Sequence, residues 1–258
     1  MNTKEKHTLY ILGLFLIGSI LFSVFYKKPS QSITDETHAT TTQGLSMNVE
    51  VLSLTKETLK INIIIEYPHF TDIKKGSTQE LMNIQFKKDA QALYEQTTAE
   101  LESAAREIDG REVVFEKKLL KDKTYINAQT GIYSVAYAQY TDTGGAHGTF
   151  YYGTETINTK NGEKLLIADI LKGEYTSALI QEIEKQIREK ASTCLRCDSL
   201  EGELDSLQSF VPETFLLSDQ GITFLFGAYD LASYAATSNG QEIFIDKDFL
   251  NPYILKNW

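Results

Sequence analysis

The segment Tyr140 to Tyr152, YTDTGGAHGTFYY, concentrates the residues of this 258-residue chain best suited to chemistry. Gly144, Gly145 and Gly148 surround His147, and Tyr133, Tyr137, Tyr140, Tyr151 and Tyr152 lie close by in sequence. Histidine titrates near neutral pH and both donates and accepts protons. Tyrosines beside it suit a sugar ring or a peptide, because each offers an apolar face and a polar tip. Two readings stand. In one, His147 binds a ligand or acts as an acid/base group, with Gly144, Gly145, Tyr140 and Tyr151 lining its site. In the other, it ties a glycine-rich turn to a sheet. A catalytic histidine needs a placed partner, and local sequence supplies none.

Other reactive patterns are sparse. Cys194-Leu195-Arg196-Cys197 is a C-x-x-C pair following a helical stretch. A zinc site needs two further ligands, and a thioredoxin-type site opens a helix rather than closing one. A small-loop disulfide between Cys194 and Cys197 is the expectation outside the cytoplasm. The histidines are His7, His38, His69 and His147, and no two have His-x-x-x-His spacing. No metal site, cofactor or catalytic residue is expected, and phosphate-loop, nucleophile-elbow and zincin motifs are absent. Carboxylate pairs such as Asp169 with Glu174, or Asp246 with Asp248, arise by chance among 35 acidic residues and carry no weight.

The elements that must position His147 follow from periodicity. Met47 to Leu54 and Leu59 to Tyr67 read as strands joined at Lys56-Glu57-Thr58, the second ending at Pro68. Ser77 to Arg106 reads as a helix opened by the capping box Ser77-x-x-Glu80, with Leu81, Ile84, Ala92, Leu93, Ala99 and Leu101 contributing its buried stripe. Strands are expected at Val113–Leu119, Lys123–Gln129, Ile132–Tyr140 and Phe150–Ile157, with a turn at Asn161-Gly162. A second helix spans Tyr175 to Lys190, with Leu179, Ile180, Ile183 and Ile187 on one face. The last strands are Phe215–Leu217, Ile222–Phe226 and Glu242–Ile245. The class is α+β, a mainly antiparallel sheet with two long helices, preceded by one transmembrane helix.

That helix is Thr8 to Tyr26, 19 residues without a charge. It would be roughly 28 Å long, matching the hydrocarbon core of a bilayer. Its C-terminal flank, Phe25-Tyr26-Lys27-Lys28, is a poor cleavage site, so an uncleaved anchor is expected. The expected organisation is a short cytoplasmic tail (1–7), the anchor (8–26), a flexible linker (27–45), an N-terminal domain (46–130) and a C-terminal domain (131–258). The linker follows from composition: residues 29–45 hold seven Ser or Thr in 17. The expected location is the cell membrane, single-pass, with residues 27–258 extracytoplasmic.

Charge narrows the partners. The chain carries 25 basic and 35 acidic groups. Setting aside the four lysines and one glutamate of residues 1–28 leaves 21 and 34, a net of -13. Such a surface disfavours nucleic acid and steers cationic proteins toward itself.

The stretch YTDTGGAHGTFYYGTETINTKNGEKLLIADIL resembles the Gly-Gly-Ala-His signature of an uncharacterised bacterial exported domain. The segments Gly221–Phe226, Tyr229–Ala235 and Ile243–Ile245 resemble its C-terminal strands. The part upstream, with Tyr67-Pro68 after a strand and then a long helix, is similar to the companion domain that precedes the catalytic module of peptidoglycan deacetylases. The same tandem forms the outer half of an anti-sigma factor that binds lysozyme. The resemblance implies an exported recognition domain, non-catalytic, whose ligand is a lysozyme-like cationic protein or a peptidoglycan fragment. The alternative is an envelope enzyme acting on wall glycan with His147 as acid/base.

Overall fold

The computed structural model describes residues 46–107, 115–193, 213–231 and 240–258. The expected anchor (8–26), the linker (27–45) and the Cys194–Cys197 pair lie outside the described residues. Among the described residues no helix is long and apolar enough to cross a membrane.

Among the described residues two sheets make up the fold, and strand pairing is mostly antiparallel, so the α+β class holds. The larger sheet contains β1 (Ser46–Lys56), β2 (Ile61–Thr71), β3 (Phe115–Asn127), β4 (Ile132–Asp142) and β5 (Thr149–Asn158), in that order. The smaller contains β6 (Phe215–Ser218), β7 (Gly221–Phe226) and β8 (Gln241–Asp246). Helix α1 (Thr78–Glu107) connects β2 to β3, which pair in parallel from Ile61↔Phe115 to Ile65↔Leu119. This one β-α-β crossover was not legible as such, because antiparallel neighbours surround it. After β5 come α2 (Ile167–Ile170) and α3 (Tyr175–Thr193), and α4 (Lys247–Leu250) follows β8.

Three local expectations are corrected. Strand β2 does not end at Pro68 but continues to Thr71, with Pro68 opposite Val49 of β1. Its pairing with β3 has already stopped at Ile65, so the N–H that proline lacks is not required on that side. The two strands expected over 113–129 are one, β3, with a register shift between Lys121 and Lys123 that accommodates Asp122. Glu66 then accepts the Lys121 N–H at 2.7 Å where β2 and β3 diverge. Finally, the buried stripe of α1 is offset. Met82, Asn83, Phe86, Ala90, Thr97 and Leu101 face the sheet, whereas Leu81 and Ile84 are 64% and 61% exposed. Ser77 caps the helix as expected, its Oγ accepting the Glu80 N–H at 3.3 Å, but Glu80 reaches the Gly76 N–H rather than that of Ser77. Asn83 explains its own burial: its side-chain amide accepts from the Phe70 N–H and donates to the Phe70 carbonyl, both at 2.8 Å, fixing α1 to β2.

Alternation along β4 divides the core. Tyr133, Val135 and Tyr137 face α1, together with Ile61, Ile63, Ile65, Phe70 and Phe86. Ala136 packs instead with Leu216 and Leu225 of the small sheet, and Ala138 with Phe150 and Ala228. Alanines let the two sheets approach closely. Ser134 Oγ accepts the Leu217 N–H at 3.2 Å and lies 2.8 Å from Thr156 Oγ1, so β6 backbone is satisfied by side chains of β4 and β5. The far side of the small sheet packs on α3 through Leu179, Ile183 and Ile187. Trp258 closes that core, donating its indole N–H to the Ser218 carbonyl at 2.7 Å.

Candidate functional site

The turn from β4 to β5 is built around Asp142. Its Oδ1 accepts the Gly144 N–H at 2.8 Å and its Oδ2 accepts the Tyr140 hydroxyl at 3.1 Å. Gly144 has φ +81°, a conformation that favours glycine. Gly148 is required for a different reason. A Cβ at this position would overlap the Tyr140 ring. Gly145 meets no such restriction. Of the expected site residues, Tyr140 therefore packs and braces the turn, while His147 and Tyr151 face outward, Tyr151 being 41% exposed. Tyr133 and Tyr137 are buried under α1 and take no part.

A second loop, not assigned to the site from sequence, completes the surface. Gly227 lies against Phe150 and Tyr151, and the Ala228 N–H donates to the Phe150 carbonyl at 2.9 Å. Asp230 accepts the Gly227 N–H at 2.5 Å. Between them Tyr229 is held at φ +71°, a left-handed conformation uncommon for a bulky residue. Tyr229 is 51% exposed, and its hydroxyl lies 3.3 Å from His147 Nε2. The rings are 6.4 Å apart and tilted by 34°. His147 Nδ1 lies 3.0 Å from the Gly148 carbonyl. A carbonyl only accepts, so Nδ1–H donates to it, and in that tautomer Nε2 accepts from the Tyr229 hydroxyl. Desolvation, then the nearby Asp230 and Tyr229, raise the Tyr151 phenol above its ordinary pKa, so it stays neutral.

This arrangement holds the imidazole between two partners, beside two exposed phenols. It can stack on a ring and offer hydroxyl hydrogen bonds. One carboxylate of each chance pair is structural: Asp169 accepts the Leu166 N–H at 2.8 Å at the start of α2, and Asp246 accepts the Asp248 N–H at 2.7 Å at the start of α4. Among the described residues, no group of three His, Cys, Asp or Glu side chains is placed to hold a metal ion.

The class these elements define is a tandem α+β chain: a helix-covered five-stranded sheet followed by a helix and a three-stranded sheet. Residues 54–149 match the family model described as Deacetylase PdaC, and residues 168–246 match a Protein of unknown function (DUF3298). The expected tandem is present, and the His147 turn falls inside the first match. No curated protein matches the chain. Among solved structures, a DUF3298 family member from Bacteroides fragilis superposes with a TM-score of 0.61 at 19% identity, covering 83% of this chain and 94% of that one. A DUF3298 family protein from Pseudomonas aeruginosa gives 0.53 at 18%, covering 81% and 94%. At these identities the likeness establishes the fold.

Proposed function

We propose that this protein is a membrane-anchored, extracytoplasmic recognition domain of the cell envelope, non-catalytic, whose ligand is a lysozyme-like cationic protein or peptidoglycan. The observation that carries the reading is the exposed surface formed by His147, Tyr151 and Tyr229, which two loops distant in sequence assemble at the end of β4 and β5. Exposed tyrosines on a rigid edge are suited to contact rather than to proton transfer. The anchor rests on residues 8–26 of the sequence, and the preference for a cationic partner on the net -13 of residues 29–258.

The test is binding of the full chain to lysozyme at low and high ionic strength, with soluble wall fragments as competitor. Salt-sensitive lysozyme binding, weakened in Tyr229→Ala, is the expected result. Binding to wall fragments alone selects the glycan ligand. Failure to bind either, or hydrolysis of wall glycan lost in His147→Ala, overturns the reading.

A further inference from the structure

A pocket of about 30 Å³ lies beneath α1, where β2 and β3 diverge. This is room for about two water molecules. Phe86, Leu93 and Leu119 form its apolar walls, and Glu66, Asp89 and Glu155 bring carboxylates to it. No basic residue is among its lining. Two of the carboxylates are engaged: Glu66 accepts the Lys121 N–H, and Asp89 accepts the Gln85 side-chain amide at 2.8 Å. The third is not. Glu155 Oε2 is shut off from solvent and has no hydrogen-bond partner. A buried carboxylate oxygen without a donor is costly, so it marks a place that a donor would stabilise.

We infer that this pocket takes the terminal ammonium group of a primary alkylamine on an unbranched stem, such as a lysine side chain, with Glu155 as its principal acceptor. An ammonium is compact, carries three donors and follows a methylene stem that the apolar walls accept. A guanidinium is a wider planar fork, and a sugar ring exceeds the volume. The carboxylates do not converge as metal ligands do. The charged groups acting on Glu155 are Lys164, which favours its charged form, and Asp89, which opposes it, and the neutral phenols of Tyr133 and Tyr137 face it from β4. Desolvation, reinforced by Asp89, outweighs Lys164 and raises its pKa to about 7. An arriving cation therefore competes with a proton. The pocket shares no lining residue with the His147 surface, so this inference stands or falls independently of the function proposed above.

The experiment titrates the full chain with Nα-acetyl-lysine amide, followed by NMR of β5 amides. Its Nε-acetylated form and glucosamine are the neutral and sugar arms. Saturable binding of the lysine amide alone is expected. It should strengthen between about pH 6 and about pH 8 as Glu155 ionises, and weaken by at least about tenfold in Glu155→Gln. Equal binding of the acetylated form, binding of glucosamine in place of lysine, or no binding at all, as for a pocket holding only water, overturns it. So does unchanged affinity in Glu155→Gln. Should that variant fail to melt cooperatively, Leu93→Phe, which narrows the pocket from its apolar wall, decides: weaker binding sustains the inference and unchanged binding overturns it.

Discussion

Tyr133 and Tyr137 of β4 and Tyr151 of the neighbouring β5 belong to one hairpin and differ in almost everything else. Tyr133 is fully buried under α1, edge-on to Phe70 at 5.3 Å and 6.5 Å from Phe86. Tyr137 is its neighbour on the same face, and desolvation raises both phenols well above their ordinary pKa. Tyr151 lies at the strand end instead, outside the α1 core, beside Tyr229 and His147. Residue type is the same; position along the pleat and distance from α1 decide which tyrosines make core and which make surface.

The largest expected break in this comparison is truncation. Tyr133→Ala should cost about 3–5 kcal/mol of unfolding free energy, the range for deleting a buried aromatic side chain. Tyr151→Ala should cost less than about 0.5 kcal/mol, as at other surface sites. Denaturant melts of the two variants check it, and similar losses would mean that the exposed tyrosines also carry packing.

Next in size is Glu155, which belongs to the buried region. Its folded pKa of about 7 lies above the ordinary carboxylate value. The folded state therefore holds a proton that the unfolded state has released, and stability falls as pH rises from about 4.5 through about 7. Glu155→Gln removes that dependence. It should match the natural protein near about pH 4.5 and exceed it by about 3 kcal/mol at about pH 8. Paired melts across that range measure the difference, and parallel curves would show that Glu155 is ionised and stabilised in the folded chain.

Much of this contrast was legible in the sequence, for physical reasons that also explain the rest. Alternation in β1 and the 3.6-residue repeat of α3 follow from one-sided burial, and β4, buried on both faces, was legible from its Ile, Val and Tyr content, so these elements fell where expected. The stripe of α1 did not. Leu81 and Ile84 have the right spacing, but the helix is fixed to β2 through Asn83, which turns Met82 and Phe86 inward. Asn83 is polar and gives no signal of burial. The strand through Pro68 was hidden because a proline is silent only when its N–H side is unpaired, a fact of sheet order. At the site, His147 and Gly148 were legible as a local pattern. Tyr229 was not, because its contact with His147 spans 82 residues and depends on Gly227 docking against Phe150 and Tyr151. The spacing Gly227-x-x-Asp230 is the local signal by which this loop could have been found as a turn.

The turn itself supplies a smaller effect. Gly148→Ala places a methyl group in the space of the Tyr140 ring. The ring must move, and with it the hydroxyl that donates to Asp142. Overpacking of this kind costs about 1–3 kcal/mol. Gly145→Ala meets no neighbour and should be neutral. Thermal melts of the pair separate a glycine needed for space from one that is not.

The smallest expected effect sharpens the comparison most at the surface. Tyr229→Phe removes the hydroxyl beside His147 Nε2 and leaves the ring in place. An exposed hydrogen bond of this kind contributes little, so stability should change by less than about 0.5 kcal/mol. The tautomer, however, is set mainly by the Gly148 carbonyl, which requires a proton on Nδ1. The ¹⁵N shifts of the His147 ring should therefore keep the Nδ1–H pattern in Tyr229→Phe, with Nε2 moving toward a solvent-exposed value. Loss of the Nδ1–H pattern would mean that Tyr229, rather than the backbone, orients the imidazole, and that the second loop builds the site rather than completing it.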